Sequence, residues 1–99
     1  MNGGTRMNCA DCLEKECYQG KDCTVIREQA EDQCRRPEVA RMMETAAAVE
    51  SEGYGVLNRV QEVACFARKM GYRSLGLAFC IGLAVEARAL KQYFRKDGF

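Results

Sequence analysis

The amino-acid sequence predicts an α/β protein: a cysteine-rich N-terminal lobe followed by an incomplete, Rossmann-like helix-strand-helix unit, mostly helical by residue count. Three observations lead there. Five of the seven cysteines precede Pro37, in a stretch with few large apolar side chains. After Pro37 the apolar residues recur at helical spacing. Between the last two helical patterns lies a short continuous apolar run, the usual mark of a buried strand. The predicted division is therefore a cysteine-rich lobe over residues 1–36 and a truncated α/β unit over residues 37–99.

The elements follow in order. In "RPEVARMMETAAAVESEGYG", Pro37 suits a first helical position and Glu38 favours the positive helix end. Val39, Met42, Met43, Ala46 and Val49 recur on one face, and Gly53 is a natural stop. Asn58 and Gln61, three apart, form a capping box. The stripe Val60, Val63, Ala64, Ala67 and Met70 makes a second helix that ends at Gly71. "LGLAFCI", residues 75–81, is too short and too continuous for a surface helix and reads as a strand. Beyond Gly82, the face Leu83, Ala87, Leu90 and Phe94 opposes Arg88, Lys91, Gln92 and Arg95, giving a last helix that ends near Gly98.

A strand followed by a crossover helix leads to a second, parallel strand, and the sequence stops where that strand would begin. The unit therefore reads as truncated. Its strand is expected to lack a partner, or to find one in another molecule by self-association.

Composition narrows the function. Lysine and arginine total 15 against 14 acids, a net charge of +1 with no block of either sign. That is no footprint for nucleic acid. The longest uncharged, mostly apolar run, residues 75–85, is far short of the roughly 20 residues that cross a bilayer. "MNGGTRMN" has no apolar segment behind a basic one, so the expected location is the cytoplasm, where thiols stay reduced. Cysteine-rich chains in such a compartment point to metal or redox chemistry.

The cysteines of "NCADCLEKECYQGKDC" carry the sharpest expectation. Cys9, Cys12, Cys17 and Cys23 follow the spacing C-x2-C-x4-C-x5-C, with Cys34 as an alternative fourth ligand. Ordering such a loop costs about 1–2 kcal/mol per residue in backbone entropy. Leu13 and Tyr18, its only large apolar side chains, would return about 1.5–3 kcal/mol each if buried. Packing loses that comparison. A structural zinc ion supplies about 10–16 kcal/mol, a disulfide about 2–4. Four thiolates suit zinc or an iron–sulfur cluster equally. Histidine is absent from the chain, so Asp11, Asp22 and Glu16 are the only nearby oxygen donors.

A second thiol, Cys80, stands at the carboxyl end of the predicted strand, two residues before Gly82 opens a helix. Open α/β sheets bind ligands at such turns, and helix amides activate thiols there. Cys80 is thus the weak catalytic candidate of a thiol-based redox or transfer enzyme, completed by residues outside this chain. Its plain alternative is a small soft residue filling a core. A phosphatase loop needs arginine six positions after the cysteine, where Glu86 stands and Arg88 comes two late. The glycines match neither a dinucleotide fingerprint nor a Walker loop. Glu86 suits the first helical turn without any catalytic duty, Cys65 falls off its helix's apolar stripe, and the Met42-Met43 pair reads as core.

Together, "MNCADC", "AAAVESEGYG", "MGYRSLGLAFCIGLAVEA" and "KDGF" resemble the uncharacterised, cysteine-rich prokaryotic family usually labelled metal-binding protein, a domain of unknown function frequent in anaerobes. The resemblance covers nearly the whole chain. It implies an α/β domain, a metal-ligating cysteine motif mapping onto Cys9, Cys12, Cys17 and Cys23, and an "FCIGL" strand-to-helix turn carrying Cys80. It also implies that this chain corresponds to the N-terminal half of longer proteins, whose remainder brings a further strand with paired cysteines. Many relatives have a cysteine near "EGY"; here Gly55 and Val56 follow that motif.

Overall fold

The computed structural model describes residues 7–99. The expectation that no export signal opens the chain falls partly on residues 1–6, outside the described residues. By internal packing the chain divides into two compact units, Met1–Val39 and Ala40–Phe99.

Among the described residues every regular element is helical. Four α-helices occur: α1 Arg27–Cys34, α2 Pro37–Gly53, α3 Arg59–Met70 and α4 Ala84–Lys96. Three short 3-10 turns complete the set, at Cys9–Asp11, Glu16–Gln19 and Ile81–Leu83. The α/β expectation is overturned. Residues 72–80, which contain most of the predicted strand, have no regular structure, and Ile81 belongs to a 3-10 turn. A strand exists only through a ladder to a neighbour about 4.8 Å away, and the described residues provide no neighbour. The run is also a poor strand former, because Ile81 is its one β-branched side chain and Gly76 weakens its middle. What survives of the pattern is its alternation. Leu75, Leu77 and Phe79 line one side of an open groove of about 500 Å³, whose other walls are Ala84, Ala87, Arg88 and Lys91 of α4.

The three helices expected after Pro37 are present, and local chemistry explains their limits. Proline opens α2 and Gly53 closes it. A Cβ on Gly53 would meet the Leu57 side chain at 2.7 Å, so the turn between α2 and α3 is tight there. At the start of α3 the Asn58 side chain accepts the Gln61 amide N–H, and the Gln61 side chain accepts the Asn58 amide N–H, both at 2.9 Å. Two of the orphan donors at this helix start thus gain partners. At its end Gly71 takes φ +79°, and the Tyr72 amide reaches back to the Ala67 carbonyl at 2.9 Å. That is the left-handed closure glycine permits.

The core of the second unit is small: Val49 from α2, Ala64, Ala67 and Met70 from α3, and Phe94 from α4. Val63, expected on the α3 stripe, is 42% exposed, and Leu83, expected on the α4 face, is 51% exposed. Met42 and Met43 are exposed too. Polar contacts frame this core. Arg41 donates to the Met70 carbonyl at 3.2 Å, Lys69 pairs with Glu52 at 2.6 Å, and Arg68 pairs with Asp97 at 2.6 Å. The Arg68 guanidinium also lies 5.8 Å from the centre of the Phe99 ring, which meets Phe94 edge-on.

The first unit differs in kind. Of residues 7–38, Asp22 alone is part-buried and all others are exposed. Helix α1 was not legible as a helix: "REQAEDQC" has no apolar stripe and buries nothing. Its exposed Arg35 pairs with both Glu31 and Asp32 one turn back.

An N-cap with this geometry contributes about 1 kcal/mol. Replacing Asn58 by alanine should therefore lower the urea unfolding free energy of the second unit by about that amount, with the denaturant slope unchanged. No shift in midpoint would remove the capping box from the account.

Candidate metal centre

The first four cysteines are carried on three closed turns of backbone, Cys9 and Cys12 sharing the first. Cys9 begins a 3-10 turn, and the Cys12 amide donates to its carbonyl at 3.3 Å. Lys15 follows in the left-handed region, φ 49°, and its amide donates to the Cys12 sulfur 3.5 Å away. Cys17 lies in the turn Glu16–Gln19, closed by a Gly20 amide that donates to the Cys17 carbonyl at 3.1 Å. Across the same turn the Lys21 ammonium pairs with the Glu16 carboxylate. That hydrogen bond, then the charge of Glu16, raises the Lys21 pKa above its ordinary value, with Cys23 adding to the effect.

Cys23 follows the residue that organises the third turn. The Asp22 carboxylate accepts the Thr24 hydroxyl and the amides of Thr24, Val25 and Arg27, the last at 2.9 Å. Val25 has φ +60°, a region that a β-branched residue occupies only under constraint. Asp22 supplies the constraint. Its Oδ2 also serves the first amide of α1, where a negative charge suits the helix dipole. The Thr24 hydrogen bond, followed by the Arg27 amide, lowers the Asp22 pKa.

All four sulfur-bearing residues, Cys9, Cys12, Cys17 and Cys23, line one hollow of about 430 Å³, together with Lys15, Lys21, Asp22 and Arg27. All four are exposed and none is in a disulfide. They are not gathered on a point: among the described residues no three Cys, Asp or Glu side chains stand close enough to hold one metal ion. The oxygen donors near them are engaged elsewhere. Asp11 accepts from Asn8 at 2.6 Å, Glu16 holds Lys21, and Asp22 holds its own turn. The hollow therefore offers four sulfur donors, beside the cations of Lys15, Lys21 and Arg27 and the already engaged carboxylates of Glu16 and Asp22.

The other cysteines lie apart from this set. Cys34 ends α1 and is exposed, and it does not line the hollow. Cys65 is part-buried on α3. Cys80 is extended, φ −86° and ψ 158°, and its carbonyl accepts the Leu83 amide at 2.9 Å. The helical half of its predicted strand-to-helix turn exists. The strand half does not, so Cys80 is an exposed thiol beside a short 3-10 turn, without the sheet that would make its position a binding crevice.

Fold and site together describe a small helical protein with a thiol-rich lobe. The chain belongs to a family described as protein of unknown function (DUF1847), whose model matches residues 17–99. It is 35% identical, over 91 residues, to an uncharacterized protein of the archaeon Methanocaldococcus jannaschii. The alignment takes in 91% of this chain and 47% of the archaeal protein, so the chain spans about half the length of that relative. No solved structure matches the sequence significantly. The resemblance read from the sequence thus holds as membership in a family of unknown function; neither description speaks of a metal.

Asp22, one of three nearby oxygen alternatives in the sequence, instead closes the turn that follows Cys23. The signal was available in "DCT", where an Asp followed two residues later by Thr is typical of a side chain that closes its own turn.

Since the folded Asp22 pKa lies below the ordinary value of about 3.9, its contribution is fully present above that value. It is lost as pH falls through the lower, folded-state pKa. Amide chemical shifts of residues 22–27 should therefore move together below pH 4 in the native chain and stay fixed in Asp22→Asn. Matching titrations of the two chains would show that Asp22 does not hold the turn.

Proposed function

We propose that the protein binds a thiolate-ligated metal centre through Cys9, Cys12, Cys17 and Cys23, with zinc or an iron–sulfur cluster as the group held. The carrying observation is that these four side chains, and none of the other three cysteines, line a single hollow in a lobe that buries no apolar residue. Leu13 is 93% exposed and Tyr18 86%. Without packing, the lobe's order rests on its turns and on whatever joins its sulfurs, and a bound metal is the one staple of sufficient strength, about 10–16 kcal/mol for zinc in small peptides. Soft thiolates select such metals over hard cations. The physiological role that follows is metal-dependent organisation of the lobe, in a compartment that keeps thiols reduced, the cytoplasm.

Protein purified without oxygen should contain close to one equivalent of centre per chain. Replacing Cys9, Cys12, Cys17 and Cys23 with serine should abolish it, while replacing Cys34, Cys65 and Cys80 should leave it intact. Metal-free protein under those conditions, or a centre that survives loss of the four cysteines, would overturn the reading.

A further inference from the structure

We propose that the groove between residues 75–79 and α4 receives a peptide segment of another polypeptide, one in which apolar side chains alternate with acidic ones. Among the described residues, no backbone amide or carbonyl of residues 73–79 is hydrogen-bonded within the chain. A peptide laid beside such a run gains main-chain hydrogen bonds whatever its sequence, and sends every second side chain to the same side. That side is apolar here. Leu75, Leu77 and Phe79 form one wall, while Ala84 and Ala87 keep the α4 wall low enough to leave about 500 Å³ open, within the roughly 300–1,000 Å³ usual for binding clefts. Ile81, Leu83 and Val85, which follow in the sequence, are exposed as well. Residues 74–85 also contain no charged residue and no proline, the devices that ordinarily protect an exposed run from pairing.

Charge selects the kind of peptide. Arg88 and Lys91 are the two charged residues of the lining, and no carboxylate lines the groove with them. Three apart on α4, they are neighbours on one helix face. Neither forms an ion pair among the described residues, whereas Arg59, Arg68 and Lys69 of the same unit each have one. Two unmatched cations beside an apolar wall favour a partner that carries acids and reject one that carries bases. A second copy of residues 74–85 brings no carboxylate to this pair, so self-pairing through the run leaves both cations unmatched. A free hydrocarbon acid would meet the cations and the apolar wall but not the main-chain groups of residues 73–79. An acidic, alternately apolar peptide meets all three.

The test is selection of a displayed library of random short peptides on the full chain, kept reduced. The inference predicts that the enriched sequences alternate apolar residues with Asp or Glu, and that a synthetic peptide of the enriched sequence moves the amide chemical shifts of residues 73–79. Its affinity should fall roughly tenfold for the Arg88→Glu, Lys91→Glu double variant, and again when alternate peptide amides are N-methylated. Far-ultraviolet circular dichroism of the double variant checks that α2, α3 and α4 persist, so that lost binding is not lost structure. Enrichment of basic peptides or of none, or binding that the double variant keeps, would overturn the proposal. Two further results would give the groove to a different occupant and so overturn it: a dimer in sedimentation that Leu77→Asp dissociates, or saturable binding of palmitate that the double variant loses while no peptide is enriched.

Discussion

The lobe that holds the cysteines has almost nothing to bury. Between residues 7 and 38 the single part-buried side chain is a carboxylate, Asp22, and it is spent on four hydrogen bonds within its own turn. Ordering a chain without burial leaves backbone entropy opposed only by exposed polar contacts, each of modest net worth. The ion pairs of α1 and of the Glu16–Lys21 turn are solvent-exposed and contribute little. This shortage is the ground for the role proposed for the four thiols, whose chemistry allows a strong staple.

The second unit meets the opposite problem with partial success. Its three helices bury a short list of side chains, led by Ala64 and Ala67, and α3 is closed at both ends by a capping box and a left-handed glycine. Between α3 and α4, however, residues 72–80 run without a ladder. Leu75, Leu77 and Phe79 are left along an open groove, and Ile81 is 94% exposed. The consequence for function is direct. A reactive thiol at Cys80 was argued from the mouth of a sheet, and without a sheet the argument has no crevice to work in.

How much of this was legible in the sequence depended on the range of the interaction involved. Pro37, Gly53, the Asn58–Gln61 box and Gly71 act within one turn of backbone, and each lies where the sequence placed it. The run at residues 75–81 failed because a strand is a relation to a distant neighbour, and apolar continuity carries no information about whether that neighbour exists. Helix α1 was missed for a different reason. The apolar period is the usual signal, and α1 has none; its signals were the i,i+4 pair Glu31–Arg35 and the Asp22 carboxylate five residues ahead of Arg27. For the site, the grouping of Cys9, Cys12, Cys17 and Cys23 around one space could be read from spacing and from the poverty of the lobe. That these sulfurs are carried on three separately closed turns, with basic side chains beside them, could not.

The central claim is that the lobe takes its order from what its sulfurs hold. Amide hydrogen exchange, followed residue by residue in metal-loaded protein and again after chelation under reducing, anaerobic conditions, examines it most directly. The account predicts that residues 9–23 pass from protected to freely exchanging when the metal is removed, while Ala64, Ala67 and Met70 in α3 keep their protection. Exchange in the lobe that is slow and identical in both states would mean that its turns are self-sufficient, and the claim would fail.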